Sequence, residues 1–220
     1  MRVHFSIDDV CDTLRWCAYN QPKSIFDMDF FGDLKKWHEK HGIKATLYCF
    51  FKNKDFCVTK LPDRYCEELR KEHDWLRLAY HGSMDGKAGK EVFQQEKEAF
   101  EKILGREDVS AIRLHRWNAP KGVVDNMTGV LLCPDHHECL PYDLSVEEWD
   151  RLKSTGTIEK GKRTYWITDF RFDNMEKADE LDRFVEKERL IIFGHEWMYK
   201  QKRRLIAEML ERLGNADYMI

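Results

Sequence analysis

Met1-Arg2-Val3-His4-Phe5-Ser6-Ile7-Asp8-Asp9 reads as a strand that ends in two carboxylates. Val3, Phe5 and Ile7 alternate with His4 and Ser6, the pattern of a strand. An apolar strand delivers a pair of acids at a free-energy cost unless they meet a cation or do chemistry. In a parallel α/β fold the C-terminal ends of the strands are also where active sites lie. The plain structural alternative is that one Asp caps the next turn and the other is solvated.

Working outward, 10–23 reads as a polar loop and 24–41 as a helix with Phe26, Phe30, Leu34 and Trp37 inward, stopped at His41-Gly42. The run 43–51 is almost continuously apolar, as in a strand buried on both faces of a parallel sheet. Helices over 62–73 and 87–104 flank a strand at 75–80; Val92, Phe93, Ala99, Phe100, Ile103 and Leu104 form the second helix's apolar stripe. Further strands are expected at 109–117, with Ala111, Arg113, His115 and Trp117 on one face, and at 129–133. Ser145 and Glu148 form a capping box for a helix to about 153. The stretches 155–159 and 163–168 flank Lys160-Gly161-Lys162 as a β-hairpin. A helix over 175–187, a buried strand at 189–193 and a helix over 198–213 follow.

Strands alternate with helices and no linker divides the chain, so 1–220 is expected to be one α/β domain, better suited to a parallel barrel than to an open doubly wound sheet. No glycine-rich phosphate loop follows the first strand, which argues against a dinucleotide fold. With 37 basic and 40 acidic residues, net charge −3, there is no general basis for nucleic acid or anionic membrane as a partner. Seven cysteines at irregular spacing, with no signal peptide, predict reduced thiols and a cytoplasmic protein. No run approaches the ~18 apolar residues of a membrane span. Cys133 to Cys139 is rich in Cys and His but lacks a second cysteine pair at zinc-finger spacing.

The strand ends carry the chemistry: Asp8 and Asp9; His81 and Asp85; Arg113, His115, Arg116 and Trp117; Asp169, Arg171 and Asp173; His195 and Glu196. In a barrel these groups converge on one rim. A histidine, a carboxylate and a second acid or histidine can hold a divalent metal, and an acid beside a ligand can serve as base toward metal-bound water. Trp117 and Trp197 lie near the same rim and are candidates to contact a substrate or to pack.

The order of these segments resembles the polysaccharide deacetylase (NodB-homology) family, carbohydrate esterase family 4. Ser6-Ile7-Asp8-Asp9 is similar to its Thr-Phe-Asp-Asp motif, and Ile43 to Tyr48 to the strand that follows. His73 to Gly82 resembles the segment leading into its His-[Ser/Thr]-x-x-His motif, Arg113 to Pro120 sits where it has Arg-x-Pro, and Ile191 to His195 resembles its closing Leu-x-His. The resemblance implies a distorted (β/α) barrel, with the hairpin near 155–168 as added material, and metal-dependent removal of acetyl from an N-acetyl sugar. By motif match Asp8 is the base, Asp9 and His81 are metal ligands, His195 is the general acid, and Arg113 or Arg116 orients the base or binds substrate. A divalent metal, zinc first, is the expected cofactor, and a small molecule or oligosaccharide the expected substrate.

Three departures stand out. The second histidine of the metal motif is Asp85, position 82 is glycine, and the arginine motif is loose. Asp85 can ligate or can simply turn the chain. His115 is a candidate substrate contact and a substitute ligand. The alternative function is an inactive deacetylase-fold protein that binds a saccharide or a partner.

Overall fold

The computed structural model describes residues 1–220 except 85–88, 105–110, 121, 136–139, 185, 215 and 220. Its strands are β1 (Arg2–Val10), β2 (Ala45–Phe50), β3 (Leu76–Gly82), β4 (Ala111–Ile112), β5 (Gly129–Cys133), β6 (Thr157–Lys160), β7 (Arg163–Ile167), β8 (Phe170–Arg171), β9 (Arg189–His195) and β10 (Asp217–Tyr218). The helices are α1 (Asp12–Asn20), α2 (Asp29–His41), α3 (Asp63–Lys71), α4 (Lys90–Ile103), α5 (Val146–Thr155) and α6 (Glu196–Leu213).

The Asp-pair strand is central. One sheet runs β3-β2-β1-β9-β8, with β10 also pairing β1, and a second runs β4-β5-β7-β6. Every pairing is parallel except the β6–β7 hairpin. β3 lies against β4. The chain leaving β7 crosses back to the first sheet: Thr168 N–H donates to the Cys133 carbonyl of β5, and Asp169 N–H to the Ile191 carbonyl of β9. The two sheets thus curve around one interior, where Tyr48, Ala79, Ala111, Leu132 and Ile191 from five strands meet. This is the distorted α/β barrel anticipated from the sequence. A larger apolar layer lies between the first sheet and its helices, and includes Phe5, Phe31, Leu47, Phe172 and Ile206.

Local chemistry explains most elements. Gly42 ends α2 in a left-handed conformation (φ 65°), and Ser145 and Glu148 cap α5 reciprocally. The differences from expectation also have causes. The segment 10–23 contains α1, whose first turn is capped by a carboxylate far along the chain. The expected 24–41 helix splits into a 3-10 turn (Ile25–Asp27) with its own Ser24/Asp27 capping box and α2. Of the strand expected at 109–117, the described residues pair only over Ala111–Ile112 (β4), and further on Arg116 and Trp117 take positive φ (54° and 51°), which breaks the shared strand face. The hairpin is present, and its second strand pairs along its length with β5, so it is part of the barrel wall. Among the described residues of 175–187 the helix formed is 3-10 (Ala178–Phe184), not α, and Val92 of α4 is exposed. Asp85 and the 136–139 part of the Cys/His cluster lie outside the described residues. Among the described residues all six cysteines are free thiols, and no helix is long and apolar enough to cross a membrane.

Candidate metal and acid-base site

Adjacent residues on a regular strand point to opposite faces, yet Asp8 and Asp9 both reach the rim. β1 breaks register against β2 between Ile7 and Val10, and Asp9 sits at φ 60°. A bulge and a left-handed residue together turn the second carboxylate toward the first. Such a conformation in a non-glycine residue costs roughly 1 kcal/mol or more and is held only where the surroundings fix it.

Glu196 does the fixing. Its buried carboxylate accepts hydrogen bonds from the N–H groups of Cys11 (2.7 Å), Asp12 (2.9 Å) and Thr13 (2.8 Å). These are orphan donors at the start of α1, so one side chain at the head of α6 pins the end of β1. Burial pushes the Glu196 carboxyl up, against the pull of those amides.

Three donor atoms converge beside the bulge. Asp9 Oδ1 lies 3.3 Å from His81 Nε2 and 3.4 Å from His115 Nδ1. All three lie within 4.8 Å of one another. The two contacts are longer than good N–H···O hydrogen bonds, and Asp9 Oδ1 is buried without a hydrogen-bond partner. They match the edge of a tetrahedron with ligand bonds near 2.1 Å, about 3.4 Å. His81 Nδ1–H donates to the Arg113 carbonyl (2.7 Å), which leaves the Nε2 lone pair facing Asp9. Two imidazoles and one carboxylate are also the donor set of three-ligand catalytic zinc sites. The residues present therefore fit a divalent metal. Gly82, at φ +104°, places its ideal Cβ position 4.0 Å from the His115 Cβ, a backbone that few side chains would tolerate.

Charge follows the geometry. Burial alone would raise the Asp9 carboxyl, but the His115 and His81 imidazoles and the charge of His195 hold it well below the usual range. Burial works against a charged His81, but Asp9 and Asp8 raise it above the ordinary histidine value. Asp8 is raised by its burial, which the charges of Arg113, His81 and His195 only partly oppose.

Arg113 lies wholly inside the barrel, with Nε 3.6 Å from Asp8 Oδ2 and Nη1 donating to Thr168 Oγ1 (3.2 Å). Its guanidinium sits over the Phe193 ring at 4.2 Å. Across the cavity His195 Nδ1–H donates to Asp173 Oδ2 (2.5 Å), while Asp173 Oδ1 accepts the His195 backbone N–H (2.9 Å). His195 Nε2 then faces Asp9 Oδ2 at 3.9 Å. Asp173 reaches His195 because Phe172 lies over Gly194, where a Cβ would meet its ring at 2.1 Å. Burial opposes the charged form of Asp173, but the His195 hydrogen bond and charge hold its carboxyl low. Trp197 stacks on His195 (5.2 Å, 28°) and donates its indole N–H to Asp9 Oδ2 (3.3 Å).

These groups surround a cavity of about 270 Å³ lined by Asp8, Asp9, His81, Leu114, His115, Arg116, Trp117, Arg171 and His195. A larger hollow of about 310 Å³ lies elsewhere, between α4 and β3–β4, and carries none of this chemistry. Of the residues named from the sequence, Asp8, Asp9, His81, His115, Arg116, Trp117 and His195 line one cavity. Arg113 lies just behind it and Trp197 at its edge. Asp169 instead pairs with Lys187 and accepts the Ile191 N–H, a structural role. Sequence reasoning did not see that Asp173 serves His195 or that Glu196 caps α1; the only signal for Asp173 was a carboxylate after a strand.

No protein-family model matches the chain, and no curated protein matches it at a significant level. Among solved structures, all of the chain (100%) aligns with 39% of the 4-α-glucanotransferase from Thermococcus litoralis, at 13% identity and a TM-score of 0.59. It covers 99% of itself and 85% of the peptidoglycan N-acetylglucosamine deacetylase Bc1960, at 11% identity and a TM-score of 0.49. A protein from Bordetella bronchiseptica proposed to be a polysaccharide deacetylase of O-antigen biosynthesis aligns over 97% of this chain and 84% of its own, at 11% identity and a TM-score of 0.44. At such identities these are likenesses of fold alone.

Proposed function

We propose that the chain, as one catalytic domain, is a metal-dependent hydrolase of non-peptide amide C–N bonds, of the carbohydrate N-deacetylase type. The observation that carries this reading is the convergence of Asp9 Oδ1, His81 Nε2 and His115 Nδ1 within 4.8 Å of one another, between a buried Asp8–Arg113 pair and a His195–Asp173 pair. Asp9, His81 and His115 would hold the metal. When bound, it supplies polarisation of the acyl carbonyl and acidification of a water molecule.

The remaining chemistry belongs to the protein. Asp8 takes the proton of the attacking water; its raised carboxyl is nearer the range where a base can both accept and release a proton. Arg113 holds Asp8 in place from beneath. His195 presents Nε2 to the departing nitrogen and donates a proton there, while Asp173 fixes the tautomer and steadies the imidazolium. Trp197 and Trp117 flank the cavity and bound the substrate ring.

The test is the metal content of purified protein supplied in turn with zinc, cobalt, manganese and nickel, together with acetate release from N-acetylated sugars. We expect one bound divalent ion per chain and acetate release that Asp8→Asn removes. No bound metal under any supplied cation sinks the mechanism, and unchanged turnover in Asp8→Asn sinks the base.

A further inference from the structure

The charged groups around the cavity are almost all committed. Asp8 faces Arg113, Asp9 faces two imidazoles, and Arg171 donates through Nε to Asp173 (2.8 Å). Arg116 is different. It lines the same cavity, is exposed, and has no ion pair among the described residues.

Its position is built. Arg116 (φ 54°, ψ 22°) and Trp117 (φ 51°) are consecutive left-handed residues with no glycine between them. Trp117 N–H donates to the Leu114 carbonyl (2.8 Å), and Tyr142 N–H to the Trp117 carbonyl (2.7 Å). The Tyr142 hydroxyl donates to the Leu132 carbonyl of β5 (2.9 Å) and accepts from Leu114 N–H (3.3 Å). The turn is therefore strapped to the barrel wall, and those hydrogen bonds hold a sparsely populated backbone conformation in place. The braced turn fixes where the Arg116 side chain starts, and the planar fork of its guanidinium matches an oxyanion better than a neutral hydroxyl.

We propose that Arg116 determines specificity by binding an oxyanion of the substrate, a carboxylate or phosphate borne by the same molecule as the scissile N-acyl group. The site then selects anionic N-acylated sugars over neutral ones. The reaction in this statement rests on the hydrolase reading above; the charge selection does not.

The test measures kcat/KM of the zinc-loaded protein for N-acetylglucosamine, its 6-phosphate and N-acetylmuramic acid. It is paired with calorimetric binding of the same three sugars to wild type, Arg116→Gln and Arg116→Lys. At least one charged sugar is favoured over the neutral one, and Arg116→Gln lowers that preference by about tenfold to a hundredfold, as for a lost charge-assisted hydrogen bond. Arg116→Lys restores part of it. The phosphate and carboxylate arms identify which oxyanion is read. Equal turnover of neutral and charged sugars, or a preference unmoved in Arg116→Gln, overturns the inference and leaves the hydrolase reading standing. If no sugar is turned over, that reading falls and binding alone decides: a tenfold or greater affinity loss for a charged sugar in Arg116→Gln upholds the inference, and equal or undetectable binding overturns it.

Discussion

The two walls of the cavity are made differently. On one, β1 and β9 run in parallel register from Arg2 opposite Arg189 to Asp8 opposite His195. Their pleat delivers the Asp8 and His195 side chains at matching heights. On the other, β4 pairs for two residues, and Arg113, His115 and Arg116 are delivered by extended chain and a strained turn. The first wall gets its precision from repetition. The second gets it from individual hydrogen bonds, chiefly those of Tyr142.

The sharpest way to break this comparison is to remove a metal donor from each wall-forming half. His81→Ala and His115→Ala should each weaken zinc binding by more than the roughly 10–100-fold that loss of an outer hydrogen-bond partner costs, read by competition with a chelator. Wild-type affinity in His115→Ala would confine the metal to the strand-built half. Next, Asp173→Asn should lower kcat by about 10²–10⁴-fold while zinc affinity holds, because the tautomer of His195 changes and the donors do not. A parallel loss of metal would assign Asp173 to the metal site instead. Smaller again, Glu196→Ala should cost about 1–3 kcal/mol in denaturant unfolding by leaving three amides without their acceptor, with Glu196→Gln keeping part of the loss back. An unchanged midpoint would show that water serves those amides equally well.

The smallest effect comes from beneath both walls. His4 is buried, and desolvation, reinforced by the Arg113 charge, lowers its pKa to about 3. The unfolded chain's histidine titrates near 6.5. Between those values the unfolded state binds a proton that the folded state refuses, so stability is lost as pH falls below about 6.5, by up to about 1.4 kcal/mol per pH unit. His4→Asn should flatten that slope between pH 6.5 and 5; an unaltered slope would place the acid sensitivity in other groups.

The contrast between the walls is also a contrast in what can be read from sequence. Val3, Phe5 and Ile7 announce β1 by period, and short apolar stretches announce β2, β3 and β9, so Asp8, Asp9, His81 and His195 could be set at strand ends. Nothing local announces that Arg116 and Trp117 turn left-handed, since neither is a residue type that prefers it. The strand expected at 109–117 therefore ran too long, and His115 was one option among several. α1 was missed for a related reason: Cys11 makes no side-chain cap, and the acceptor for its first turn is Glu196. Asp173 looked like a loop acid because its purpose depends on Phe172 lying over Gly194, a tertiary fact.

The Glu196 clasp has a consequence for how the molecule is made. Cys11 and Glu196 are separated by 185 residues. On a ribosome adding roughly 5–20 residues per second, β1 waits on the order of ten seconds for that partner. For that interval one edge of an apolar central strand has no neighbour, because β9 emerges with the clasp. An unpaired apolar edge is an invitation to the wrong strand. Two carboxylates at the end of β1 are costly to bury against a wrong mate, and the late segment brings the His195 charge that favours the ionised form of Asp9.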